Sequence, residues 1–188
     1  IHLVPAGVDT ALFSPAVSWP ETFQALFVGR LAWEKGIMDM VYATRGLDGK
    51  RSVLRCVGDG QFRSWLTDNA VAAEGYVAHH ELPAIYRQAT LFLYPSLPTL
   101  AWQEQFGISV IEAMACGLPV IVSDSGALPE LLPPTARRDL CVVPSGRWDI
   151  LRERIRDMME HRGFAQALGR ISRQWAEQKY SSEVVGKQ

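Results

Sequence analysis

Short apolar runs alternate along the chain with stretches whose apolar residues recur every three or four positions. Apolar runs bounded by turn residues suit buried strands, and the 3.6-residue period suits helices with one covered face. The pattern predicts strands at 25–29, 52–58, 71–77, 90–95, 118–124 and 140–143. Between them it predicts helices over 36–47, 62–69, 81–89, 107–116 and 127–132, and two more from Trp148 to about Lys179. Ile37, Met40, Val41 and Thr44 share one helical face, as do Leu82, Ile85 and Tyr86. Gly117 and Pro119 end the helix that starts near Gly107, and Ile150, Leu151, Ile155, Met158 and Met159 form a stripe on the penultimate one.

Strands separated by helices imply right-handed crossovers and a parallel sheet covered on both faces. The expectation is one doubly wound α/β domain of about six strands. Ligands of such sheets bind beyond the carboxyl ends of the strands, so candidate site residues belong in strand-to-helix loops.

Composition narrows the picture. The chain has 188 residues, 48% hydrophobic and 21% charged, an ordinary balance for a globular domain. A formal net charge of −1 argues against a broad nucleic-acid surface. Cys56, Cys116 and Cys141 lie far apart, without zinc spacing, and read as small buried residues in a reducing compartment. No apolar run reaches the ~18 residues of a membrane span. The opening IHLVPAGVDTALFSP reads as the middle of a longer protein.

Two loops carry candidate chemistry. In VGRLAWEKG (28–36), Arg30 follows a strand and Lys35 precedes a helix. Two cations and a helix N-terminus in one loop suit a phosphate or diphosphate; solvated surface charges, with Glu34 as a local partner, are the alternative. No Walker spacing precedes Lys35. In VGDGQFR, Gly58-Asp59-Gly60 invites a dinucleotide reading, but Arg63 stands where the third glycine belongs, and a tight turn is the plainer account.

A long loop after the strand at 90–95, SLPTLAWQEQ, leads into EQFGISVIEAMACGLPVI (104–121). Its helix is apolar nearly all round, with Ser109 and Glu112 its polar residues, which marks it as buried. A buried carboxylate needs partners. The paired hydroxyls of a ribose would meet both oxygens of Glu112; an arginine at the core edge is the alternative. Glu104 stands eight positions earlier, about 12 Å along a continuous helix, and can reach a cleft from the loop. Between the two lie Phe106, Gly107 and Ile108, whose amides open a helix.

In order and spacing these segments resemble the retaining nucleotide-sugar glycosyltransferases of the GT-B fold, the glycosyltransferase group 1 class. The likeness is to their C-terminal, donor-binding domain and covers nearly the whole chain, 1–188. VPAGVDTALFSP resembles the linker into that domain, VGRLAWEKG its Gly-Arg-Leu-x-x-x-Lys-Gly loop, EGYVAHHELPAIYRQATLFLYPS the segment around the base, and EQFGISVIE its Glu-x7-Glu motif. The resemblance implies a Rossmann-like sheet, one half of a GT-B fold. It implies that Arg30 and Lys35, in the loop opened by Gly29, bind the donor diphosphate. Glu104 would contact hydroxyls of the transferred sugar, and Glu112 would hold the ribose. Backbone around Gln105, Phe106, Gly107 and Ile108 would hold sugar and phosphate, and Tyr76 and Val77 would lie near the base. It further implies no cofactor beyond the nucleotide-sugar substrate, no metal (no Asp-x-Asp occurs), a role in polysaccharide biosynthesis, and a cytoplasmic setting. The acceptor domain would be a partner absent from this chain, leaving the isolated domain nearly inactive, and membrane contact would fall to that half. Gln105 stands where many members have Gly, and the stretch from Gly60 to Gly75 is short. An epimerase, or a noncatalytic module for NAD or a sugar nucleotide, is the alternative.

Among the remaining residues, His79 and His80 read as surface, and Arg152, Arg154 and Arg156 as a solvated helix face. Trp33 and Trp102 lie in the two candidate loops, and Asp124 and Ser125 at a strand end.

Overall fold

The computed structural model describes residues 7–47, 49, 53–100, 102–135 and 138–186. Its elements run β1 (Ala25–Val28), α1 (Ile37–Thr44), β2 (Leu54–Val57), α2 (Arg63–Asp68), β3 (Ala72–Glu74), α3 (Leu82–Tyr86), β4 (Leu91–Tyr94), α4 (Ile108–Ala115), β5 (Val120–Ser123), α5 (Leu128–Leu131), α6 (Arg138–Cys141), β6 (Val142–Val143), α7 (Trp148–Glu160), α8 (Arg162–Tyr180) and α9 (Ser182–Val185). Single 3-10 turns at Trp33–Lys35 and His79–Glu81 precede α1 and α3.

All five strand pairings are parallel, in the order β3-β2-β1-β4-β5-β6. β1, β4 and β5 are buried along their whole length, as expected of strands covered by helices on both faces. The sequence runs outward from β1 to β2 and β3, then returns to β4 on the other side of β1. That reversal is the topological switch point of the sheet, where the loops leaving two adjacent strands part and open a crevice. The loop after β1 carries Arg30 and Lys35; the loop after β4 carries Glu104.

The expected α/β architecture is the observed one, with local differences. β3 is three residues, not seven, because the amide of Gly58 is shared between the carbonyls of Glu74 and Gly75 and the chain then leaves the sheet edge. Leu140 and Cys141 belong to a helical turn, leaving two residues for β6; a short apolar run does not distinguish these states. The expected start of β2 at Ser52 and the linker residues Val4, Pro5 and Ala6 lie outside the described residues. α9 has no apolar periodicity to announce it and is started by Ser181, whose hydroxyl accepts from the amide of Val184 at 3.3 Å.

α7 buries Leu151, Ile155 and Met158 and packs on α1. Arg152 and Arg154, expected in solvent, are partly buried. Arg152 donates to the carbonyls of Ala43 (3.1 Å) and Arg45 (2.7 Å) at the end of α1. Arg154 donates to the carbonyl of Asp139. A linear reading does not show the carbonyls that a distant helix end presents. The segment before β1 is tied to the end of α8: Val8 pairs with Ser181, Phe13 is fully buried, and Arg173 donates to the carbonyls of Thr10, Phe13 and Ala115.

Candidate functional site

The loop after β1 turns inward at Lys35. Gly36 follows with φ +68, and a Cβ there would meet the carbonyl oxygen of Pro95 at 2.1 Å. Glycine at this position therefore lets the loops from β1 and β4 touch at the switch point. The Lys35 side chain is drawn between them. Its Nζ donates to Glu104 Oε2 at 2.5 Å and to the Tyr94 hydroxyl at 3.1 Å, and stands 4.6 Å from the ring centroid of Trp102. Lys35 and Glu104 are 8% and 6% exposed, so the ion pair is buried. Burial alone lowers the Lys35 pKa, but Tyr94 and Glu104 outweigh it and hold the ammonium above its ordinary value. Burial likewise pushes the Tyr94 phenol up.

Glu104 also accepts from the Ser96 hydroxyl at 3.0 Å, on the same oxygen. Among the described residues, Oε1 has no hydrogen-bond partner and is not a buried orphan, so it remains an acceptor open to the cleft. The chain behind it is fixed by the amide of Ala127, which donates to the Glu104 carbonyl at 3.0 Å. Arg30 is exposed and paired with Glu34 at 2.5 Å. Arg30, Lys35, Tyr94, Trp102, Glu104, Gln105 and Phe106 line one open cleft of about 590 Å³. Gly107 is the N-cap residue of α4, and Ile108, its first residue, is 40% exposed.

Glu112, about one turn along α4, is 3% exposed and does not line that cleft. Its Oε2 accepts from the Tyr86 hydroxyl at 2.9 Å and its Oε1 lies 2.7 Å from His79 Nε2. Its partners are thus a phenol and an imidazole, not the arginine that was the alternative to a ribose. Burial, and then the Glu112 charge, raise the Tyr86 pKa well above the ordinary phenol value. His79 is exposed as expected, yet it reaches Glu112 from the 3-10 turn and rests 5.1 Å from the Phe13 ring. The loop after β3 therefore arrives beside Glu112. Tyr76 on that loop is 80% exposed and Val77 is half-buried.

Of the sequence-predicted residues, the structure joins Arg30, Lys35, Glu104, Gln105 and Phe106 in one cleft and sets Glu112 on the helix leading from it. Gly29, Tyr76 and Val77 fall on flanking loops. Sequence reasoning missed Tyr94, Ser96 and Tyr86. The signal for Tyr94 and Ser96 was their place at the carboxyl end of a central strand, where side chains face the switch point. Gly58 and Gly60 have a structural use: a Cβ at Gly58 would meet the Gly29 carbonyl oxygen at 2.1 Å, so the β2 loop packs against the β1 loop. The three cysteines are buried, and no disulfide forms among the described residues. Among the described residues, no helix is long and apolar enough to cross a membrane.

Comparisons place this geometry among known proteins. The family model for glycosyl transferases group 1 matches residues 15–175. A glycogen synthase of Mycobacterium tuberculosis is 32% identical over 142 residues, covering 69% of this chain and 33% of the relative. The chain spans only about a third of the length of the curated relatives it matches. Sucrose-phosphate synthase from Thermosynechococcus elongatus superimposes with a TM-score of 0.83 at 24% identity, over 99% of this chain and 50% of that one. Anabaena HepE in complex with UDP does so with a TM-score of 0.80 at 20% identity, over 96% and 54%. At these identities the structural likeness is one of fold.

Proposed function

The chain belongs to the glycosyl transferases group 1 family, and from that premise we propose that it is the donor-binding half of a retaining glycosyltransferase. Its substrate on this reading is a nucleoside-diphosphate sugar. The observation that carries the proposal is the cleft at the switch point, which gathers two cations, a carboxylate with one oxygen unpartnered among the described residues, and an aromatic wall. The UDP complex of a protein with the same fold supports a nucleotide as occupant.

Roles follow from the chemistry of each group. Breaking the bond between sugar and phosphate builds negative charge on the leaving diphosphate. Arg30 and Lys35, whose ammonium is held above its ordinary pKa, stabilise that charge, and they do so more in the transition state than in the ground state. Glu104 Oε1 accepts from a hydroxyl of the transferred sugar while Oε2 keeps Lys35 in place. Glu112 receives the ribose: Tyr86 holds one oxygen from the core, and ribose hydroxyls take the place of His79 at the other. Amides at Gly107 and Ile108 open toward sugar and phosphate, and the loop of Tyr76 and Val77 flanks the base. Side chains supply the charge stabilisation, so no metal or cofactor is required on this account.

Because the relatives are about three times as long as the matched region, we propose that the acceptor is bound by a second α/β domain, and that this chain alone transfers little. Three buried cysteines outside any disulfide support a cytoplasmic setting; contact with the inner membrane face, and assembly of a polysaccharide, would be matters for the acceptor half. The test is turnover by the protein with its acceptor domain. UDP-, GDP- and ADP-sugars are offered and the product anomer is read by proton NMR. Retention of the donor's configuration is expected; an inverted anomer, or epimerised donor without transfer, contradicts the proposal.

A further inference from the structure

A second cavity, of about 380 Å³, opens at the other edge of the sheet. Its wall includes Trp19 and Pro20, which lead toward β1, Ala89 just before β4, and Leu118 just before β5. These are the amino ends of the strands, whereas the cleft opens at their carboxyl ends; Tyr86, whose hydroxyl bonds Glu112, forms part of the cavity wall. Its volume falls in the range of small-molecule pockets, about 300–1,000 Å³. The wall is mainly apolar, but the end of α3 and one face of α8 bring arginines to it.

Among the described residues, Arg87, Arg170 and Arg173 line the cavity and no aspartate or glutamate does. Arg173 has its charge met by Glu177 at 2.6 Å. Among the described residues, Arg87 donates only to neutral oxygens, those of Leu12 and Ser14. Arg170 is exposed and has no partner among the described residues. The amide of Gln166 and the indole N–H of Trp19 also lack hydrogen-bond partners among the described residues. The cavity thus offers unmatched donors and surplus positive charge around an apolar body. An apolar ligand alone would leave both unanswered; inorganic phosphate would leave the apolar wall uncovered.

We propose that this cavity is a second ligand site, for a small monoanion with an apolar body such as a medium-chain or aromatic carboxylate. The head group sits between Arg170 and Arg87, within reach of Gln166, and the body lies against Trp19 and Leu118. Guanidinium groups suit a carboxylate, and the charge-assisted bonds supply selectivity over a neutral analogue.

The test titrates the ¹⁵N-labelled chain with sodium octanoate and follows the Trp19 indole resonance. A saturable shift is expected, with Kd at or below about 1 mM. Arg170→Glu, an exposed change whose fold is checked by circular dichroism, is expected to weaken binding about tenfold or more. 1-Octanol, with the same body and no charge, should bind at least about tenfold more weakly. UDP should leave the Trp19 resonance in place. No saturable shift, equal binding of octanol, indifference to Arg170→Glu, or displacement of octanoate by UDP would each overturn the site.

Discussion

Replacing Lys35 by Met and Glu104 by Gln, singly and together, probes the pair on which the cleft is built. Nζ and Oε2 are 2.5 Å apart, with side chains 9% and 7% exposed. Apart from Glu104 Oε1 at the cleft, the pair is shielded from bulk water, so removing one partner leaves the other poorly compensated. Breaking a buried pair from one side costs about 3–5 kcal/mol. Lys35→Met sits at the lower end, about 3 kcal/mol, because Ser96 still donates to the Glu104 carboxylate at 3.0 Å. Glu104→Gln should cost less, about 2 kcal/mol, since the ammonium keeps Tyr94 and the face of Trp102. In the double variant no stranded charge remains, so its loss should be close to that of Glu104→Gln alone, a coupling of about 3 kcal/mol. Urea unfolding measures this: at a slope of about 2 kcal/mol/M, Lys35→Met lowers the midpoint by about 1.5 M. Losses that simply add in the double variant, or a neutral Lys35→Met, would refute the reasoning.

Further expectations follow from the same geometry. Gly36→Ala forces a side chain into φ +68 and against the Pro95 carbonyl, and should cost about 2 kcal/mol or more by the same urea assay; a wild-type midpoint contradicts the close approach. Tyr86→Phe removes a hydroxyl from buried Glu112 and should cost about 1.5–3 kcal/mol, with an unchanged midpoint counting against that bond. Because the folded-state pKa of Lys35 is raised, its stabilisation is fully present below the unfolded value near 10.5 and is lost only as pH rises through the higher folded value. The stability gap between wild type and Lys35→Met should therefore be flat from pH 6 to about 10 and shrink above it; a gap that widens as pH rises toward 10 would show a lowered lysine, and one that stays flat above pH 11 an ordinary one.

The architecture was legible because its signal is local. β–α alternation and continuous apolar strands record burial on both faces, and ALFV, LFLY and VIVS are strands where the apolar runs placed them. Short elements at the rim were harder: β3 and β6 end where hydrogen bonds with distant carbonyls run out, and their own residues do not encode that. Arg30, Lys35 and Glu104 stood out because charge in a loop after a buried strand is unusual. What Lys35 touches was not legible, since Glu104 is 69 positions away and only strand order makes them neighbours. His79 illustrates the same gap. It is exposed, as its polar loop suggested, yet bonded across 33 positions to Glu112.

The central claim is that a single nucleoside diphosphate spans from Arg30 and Lys35 to Glu112. Titration calorimetry with UDP, GDP, ADP and NAD, on wild type and on Arg30→Ala and Glu112→Gln, tests it most directly. The account predicts that at least one nucleoside diphosphate binds, that NAD does not, and that each substitution weakens binding about tenfold or more while circular dichroism is unchanged. Binding of NAD alone, or nucleoside-diphosphate affinity indifferent to Arg30→Ala or to Glu112→Gln, would contradict it.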